Sequence, residues 1–159
     1  MGVMADDQSK EEKPEIEQPV EEISAENKNF KILIIVKNEN PFKRVEQFLT
    51  RRGWEVVIVS KLENAIKQLM AGKPDYVMIS VNFPNPKIMV FPTLLAQTFN
   101  TTCIMMGEKG DTVTRSKIQN AKAQYKMLGD PSGPTVYRQI KKIYLEQNGI
   151  FDEDDSPRS

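Results

Sequence analysis

The chain has 159 residues, enough for one domain, with 39% hydrophobic and 28% charged residues and equal totals of 22 bases and 22 acids. The neutrality is uneven: residues 1–29 carry nine acids and three bases, residues 151–159 carry four acids and one base, and 30–150 is left with a net charge of +9. With no His and one Cys, the chain has no internal disulfide, no ordinary zinc, copper or haem ligand set and no His-dependent catalytic triad, and it has neither an apolar run of membrane-spanning length nor a signal peptide.

Residues 1–29 are rich in Glu, Lys, Gln, Ser and Pro and poor in large apolar side chains. They cannot bury enough apolar surface to offset ordering entropy, so the segment is expected to be disordered. The same holds for 151–159, FDEDDSPRS. A single domain is therefore expected over 30–150.

Within it, Phe30–Val36 (FKILIIV) is short, continuous and β-branched, the pattern of a strand covered on both faces. Asn40-Pro41 then reads as a helix cap followed by a first-turn proline. Phe42, Val45, Phe48 and Leu49 recur at helical spacing, and Gly53 can stop the helix. Trp54–Val59 (WEVVIV) is the second strand. Ser60-Lys61-Leu62-Glu63 has capping-box spacing, and Leu62, Ala65, Ile66, Leu69 and Met70 form one helical face, ended by Gly72. Tyr76–Val81 (YVMISV) is the third strand, followed by a Pro- and Asn-rich loop from Asn82 to Pro86. The helical pattern over 87–99 is weakened by Pro92.

Thr102–Met106 (TCIMM) is the fourth strand. A helix over 112–122 offers only Val113, Ile118 and Ala121 for anchoring. Tyr125–Leu128 (YKML) is the fifth strand, and Val136, Ile140, Ile143 and Tyr144 mark a last amphipathic helix between Pro134 and Gly149. Five strands alternating with five helices imply right-handed βαβ crossovers and a parallel sheet. The expected fold class is α/β, a flavodoxin-like doubly wound five-stranded parallel sheet in order 2-1-3-4-5 with helices on both faces. The working site of such a sheet lies beyond the carboxyl ends of its strands, here Lys37-Asn38, Ser80-Asn82, Gly107-Glu108 and Gly129-Asp130.

The order of these pieces resembles the receiver domains of bacterial two-component response regulators (CheY-like), over roughly residues 30–147. Three stretches carry the resemblance: Ile34-Ile35-Val36-Lys37-Asn38-Glu39-Asn40-Pro41, Arg52-Gly53-Trp54-Glu55-Val56, and Pro74-Asp75 with Ser80 and Pro84 around the third strand. In active receivers the third strand bears a phosphoacceptor aspartate, an acidic pair holds Mg²⁺, and a Ser/Thr and a Lys from the fourth and fifth strands contact the phosphoryl group. On that resemblance the acceptor position is Ser80, the acidic pair is Lys37-Asn38 beside Glu39, the Ser/Thr position is Gly107 or Glu108, and the lysine position is Asp130.

These residues depart from the chemistry. Mg²⁺ needs hard anionic oxygens, and Lys37 puts a cation in their place. Ser80 cannot form an acyl phosphate, and no His exists to activate its hydroxyl. The resemblance thus implies a degenerate pocket in a pseudo-receiver, with no cofactor, no metal and no catalysis. Lys37 and Asp130 are expected to converge on one cleft, as a charge-reversed pair or as two solvated loop charges. Ser80 reads as a small filler before it reads as a kinase target, Cys103 as a buried inert thiol, and Trp54 and most methionines as packing.

Arg115, Lys117, Lys122 and Lys126 cluster around the fourth helix and fifth strand, with Lys141 and Lys142 on the last helix. The resemblance makes this the partner-binding surface. A second basic group, Lys43, Arg44, Arg51 and Arg52, lies on the first helix. The expected function is a stand-alone cytoplasmic pseudo-receiver acting by protein–protein contact, its partner a signalling protein of acidic character or the chain's own acidic tails. The alternatives are a basic nucleic-acid-associated module held off by those tails and a small-molecule sensor at the cleft. Nucleic acid is disfavoured, because neither aromatic–basic interleaving nor a helix-turn-helix is present. Nothing in the composition points to a membrane partner or to an oligomeric state.

Overall fold

A computed structural model of the chain describes residues 28–150. The expected disorder of 1–29 and 151–159 falls outside these residues, Lys28 and Asn29 excepted. Five strands, β1 (Lys31–Ile35), β2 (Glu55–Val59), β3 (Tyr76–Ser80), β4 (Thr102–Gly107) and β5 (Tyr125–Leu128), pair in parallel in the order 2-1-3-4-5. The helices are α1 (Lys43–Thr50), α2 (Leu62–Ala71), α3 (Phe91–Leu94), α4 (Thr112–Asn120) and α5 (Gly133–Gln147). Residues Asn29–Tyr137 form one compact unit; Lys28 and 138–150, which include most of α5, belong to a second.

The three inner strands are apolar because both of their faces are covered. Ile32 to Ile35 and Tyr76 to Ile79 are all buried. Alternation divides them: Leu33, Ile35, Val77, Ile79, Cys103 and Met105 enter one cluster with Ala65 and Leu69 of α2, Phe91, and Ile118 of α4. Each fully buried aliphatic side chain in it contributes about 1.5–3 kcal/mol. Burial also raises the Cys103 thiol to about 12, because the thiolate would lose its hydration.

The amino-terminal ends of the strands carry an aromatic cluster. The Phe30 ring meets Trp54 edge-on at 4.9 Å and Tyr76 at 5.7 Å, and Trp54 lies 5.1 Å from Tyr137. Phe48 of α1 meets Tyr137 at 6.1 Å. The Arg52 guanidinium lies 3.6 Å from the Phe48 ring centre, and its Nη1 donates to the Phe48 carbonyl. One of the four α1-region cations is therefore held on an aromatic face. The helix stops at Gly53 as its sequence predicts: φ is +87°, and the Trp54 N–H reaches back to the Leu49 carbonyl at 3.2 Å.

Several local expectations need correction. Asn40 is not a cap; it opens a 3-10 turn, Asn40–Phe42, and its own N–H is taken by Asn38 Oδ1 at 3.2 Å. Ser60 is not a cap either, since α2 starts one residue later, after Lys61, with no side-chain cap bond. The Ser60–Glu63 spacing is therefore out of phase with the helix. Ile66 and Met70 are 40% and 74% exposed, so only Leu62, Ala65 and Leu69 of the expected α2 face turn inward. A ten-residue helix on a sheet this narrow buries a thinner stripe than its apolar residues suggest.

The helix expected over 87–99 is broken into three pieces. A 3-10 turn (Pro86–Met89) is capped by Asn85 Oδ1, then come α3 and a wide π-type turn, Leu95–Phe99. Pro92 sits in the first turn of α3, where its missing N–H costs nothing. In α4 the buried residues are Thr114 and Ile118, while Val113 is 62% exposed. Ala121 is buried just past the helix end.

Candidate functional site

Four strand ends converge on a cavity of about 650 Å³. The β1 end supplies Lys37, Asn38, Pro41 and Phe42; β3 supplies Ser80 and Asn82; β4 supplies Glu108 and Lys109; β5 supplies Asp130 and Pro131. The topology explains this convergence. The β1–β2 crossover through α1 and the β2–β3 crossover through α2 pass on opposite faces of the sheet, which leaves a crevice at the carboxyl edge.

Ser80 is the centre of a hydrogen-bonded chain. It is 1% exposed, and its hydroxyl donates to the Glu108 carboxylate, 2.7 Å from Oε2 and 2.9 Å from Oε1. The same oxygen accepts from the Asn82 N–H at 3.0 Å. Asn82 Nδ2 then donates to Thr114 Oγ1 at 3.1 Å, and Lys117 Nζ donates to Asn82 Oδ1 at 3.5 Å. At the head of α4 the Thr114 N–H donates to Asp111 Oδ1 at 2.7 Å. That bond, with the second to Thr114, holds the Asp111 carboxyl below its ordinary range. No buried side-chain polar atom is left without a partner among the described residues.

Two of the expected pocket residues lie elsewhere. Gly107 is packed behind the cleft, where an added Cβ would meet Ile118 and Thr114 at 3.0 Å. The side chain facing Ser80 from β4 is therefore that of Glu108. Glu39 does not line the cavity, and its carbonyl accepts from the Phe42 N–H at 2.9 Å. Lys37 and Asp130 both line it and both are exposed, but no ion pair joins them. The bond that crosses the cleft runs from Ser80 to Glu108.

Asn82, Lys109, Asp111 and Thr114 belong to this site and were not foreseen in these roles. Asn82 and Asp111 had sequence signals, Asp111 as an acidic cap residue directly before a helical run. The backbone N–H two positions after a Ser or Thr is placed to donate to that hydroxyl, as that of Asn82 does.

The residues of the expected partner surface fall in both units. Arg115, Lys117 and Lys122 are exposed on and just after α4, and Lys126 is exposed on β5 with its Nζ donating to the Gln119 carbonyl. Lys117 is shared with the cleft through Asn82. Lys141 and Lys142 lie on α5 in the other unit, where they border a separate groove.

No family model and no curated protein sequence matches the chain. Solved structures do. A CheY-like response regulator receiver domain protein from Methanospirillum hungatei JF-1 matches with a TM-score of 0.62 at 15% identity, over 77% of this chain and 98% of that one. The chemotaxis response regulator CheY4 of Vibrio cholerae gives 0.60 at 14% identity, over 73% and 99%. A two-component response regulator from Clostridium difficile gives 0.61 at 16% identity, over 76% and 98%.

The chain has the receiver fold of two-component response regulators. Identities this low speak for the fold alone, so the chemistry of the cleft rests on its own residues. Against the Mg²⁺ of active receivers the donor set does not fit. The exposed Lys37 lines the cleft, and the Glu108 carboxylate already accepts from Ser80. Among the described residues no group of three or more His, Cys, Asp or Glu is arranged to hold a metal, and no helix is long and apolar enough to cross a membrane.

Proposed function

We propose that this chain is a pseudo-receiver that works through protein–protein contact and neither accepts a phosphoryl group on aspartate nor catalyses a reaction. The observation that carries this reading is the Ser80–Glu108 bond. In an active receiver the β3 residue is the anion and the β4 residue is the hydroxyl that meets it once phosphorylated. Here the polarity is inverted: the hydroxyl is on β3 and the anion on β4. A contact that phosphorylation would create is thus present without it, and Asn82 and Thr114 carry it to α4. The loop after β4 is held by sequence rather than by signal.

The partner is proposed to be a signalling protein with acidic character. The exposed cations Arg115 and Lys122 attract such a surface and steer its approach. The test is an amide spectrum of the isotope-labelled protein with beryllofluoride and Mg²⁺. The expected result is no shift at Ser80, Glu108 or α4; a saturable shift there overturns the proposal.

A further inference from the structure

Helix α5 ends in a turn with a specific geometry. Gly149 takes φ +78°, its N–H donates to the Glu146 carbonyl at 3.0 Å, and the Ile150 N–H donates to the Leu145 carbonyl at 2.8 Å. This pair of bonds is a Schellman terminus, which brings the residue after the glycine back over the helix. Leu145 and Ile150 accordingly share a groove of about 360 Å³, bordered by Arg138, Lys141, Lys142 and Glu146. Its walls are three cations and one carboxylate around an apolar pair.

The complement of such a groove is an acidic segment with spaced apolar residues, and this chain contains one. Residues 15–26 read EIEQPVEEISAE: five Glu and no base, with Ile16, Val20 and Ile23 between them. The residue that delivers this segment is already on α5. Lys28 Nζ lies 5.9 Å from the Tyr144 ring centre, a cation–π contact next to Leu145. Ile23 lies five residue steps before Lys28 in the chain, a reach of at most about 17 Å. A tether that short gives a millimolar effective concentration, so a contact too weak between separate molecules is populated within one.

We infer that the α5 groove is the docking site for the chain's own acidic segment 15–26, with its carboxylates on Arg138, Lys141 and Lys142 and its apolar side chains on Leu145 and Ile150. A partner that uses this groove has to displace the segment first. The inference rests on α5 alone and is independent of the state of the cleft.

The test is a methyl spectrum of the full chain with Leu and Ile labelled. Reversing Glu15, Glu17, Glu21 and Glu22 to Lys should shift the Leu145 and Ile150 signals and leave Ile34 of β1 unmoved. Adding Arg138→Glu, Lys141→Glu and Lys142→Glu should bring them back. Should that groove variant fail to fold, a salt titration of the unaltered chain reads the same contact, moving the two signals toward their charge-reversed positions. No movement on segment reversal or on salt overturns the inference. So does broadening of these signals by a second, unlabelled copy spin-labelled through Gln18→Cys, because it assigns the groove to another molecule. The buried Cys103 thiol does not compete for that label.

Discussion

The Ser80 hydroxyl and the Glu108 carboxylate meet at 2.7 Å across the carboxyl edge of adjacent parallel strands. Ser80 has no room to turn away. It is 1% exposed, and its oxygen also accepts the Asn82 N–H. A charge-assisted bond in such a place is worth more than its exposed counterpart, because Ser80 is buried and Glu108 is partly so.

Ser80→Ala should therefore lower stability by about 1 kcal/mol, the net worth of the hydroxyl with two partners lost. Glu108→Ala should cost a similar amount, and the double variant should cost less than the sum, since both remove one bond. Urea unfolding of the four proteins measures the coupling; strict additivity would show that the two groups do not interact.

Ser80→Asp should not recover phosphorylation. It places a second carboxylate against Glu108, so folding should weaken more than with Ser80→Ala, and Glu108→Gln in the same chain should restore the difference. Thermal midpoints of the two proteins, with a phosphodonor and Mg²⁺ present and absent, check both parts.

Gly133 opens α5 against α1, where an added Cβ would fall on the Cβ and Cγ of Phe48. Gly133→Ala should destabilise by about 1–3 kcal/mol through overpacking, although alanine is the better helix former. Phe48→Ala in the same chain should recover part of the loss. A Gly133→Ala protein as stable as the parent would mean that the Phe48 ring does not constrain this position.

The buried Cys103 gives the alkaline limb of stability a defined contribution. Its thiol is raised from 9.0 to about 12 in the folded chain. Above pH 9 the unfolded chain loses this proton while the folded one keeps it, so the stability is complete below pH 9 and falls as pH rises toward 12. Cys103→Ala should flatten the fall over that window relative to the parent, and thiol reagents should react with the parent only on unfolding.

Trp54 is the one tryptophan, 4% exposed and 4.9 Å from the Phe30 ring. Its emission should be that of a buried indole and should move to the red in one step with the loss of helical signal. Trp54→Ala should cost about 3–5 kcal/mol. Emission at the solvent position in the native protein would contradict the packing of this cluster.

The strand order and the place of the cleft were legible in the chain because both follow from short-range pattern. Continuous β-branched runs alternate with helical periodicity, right-handed crossovers leave few layouts, and the cleft must lie beyond the strand ends. That position 80 at the end of β3 is a serine was equally legible, as a matter of residue identity. Which charge Ser80 meets was not. Lys37 and Asp130 are as near Ser80 in the topology as Glu108, and the choice depends on side-chain directions set by packing. Gly107 lies against α4, where an added Cβ would press on Thr114 and Ile118 at 3.0 Å, and the next residue, Glu108, is the one that meets Ser80. Likewise the apolar residues of α2 were visible, but Ile66 and Met70 stay exposed because helix-to-sheet distance and rotation decide how wide a stripe is buried. The sequence by itself determined the α/β layout, the basic middle with acidic ends and the absence of an aspartate at position 80. Only the tertiary structure decided the Ser80–Glu108 bond and the groove on α5, because both depend on which of several chemically equivalent side chains the packing brings within hydrogen-bond or van der Waals distance.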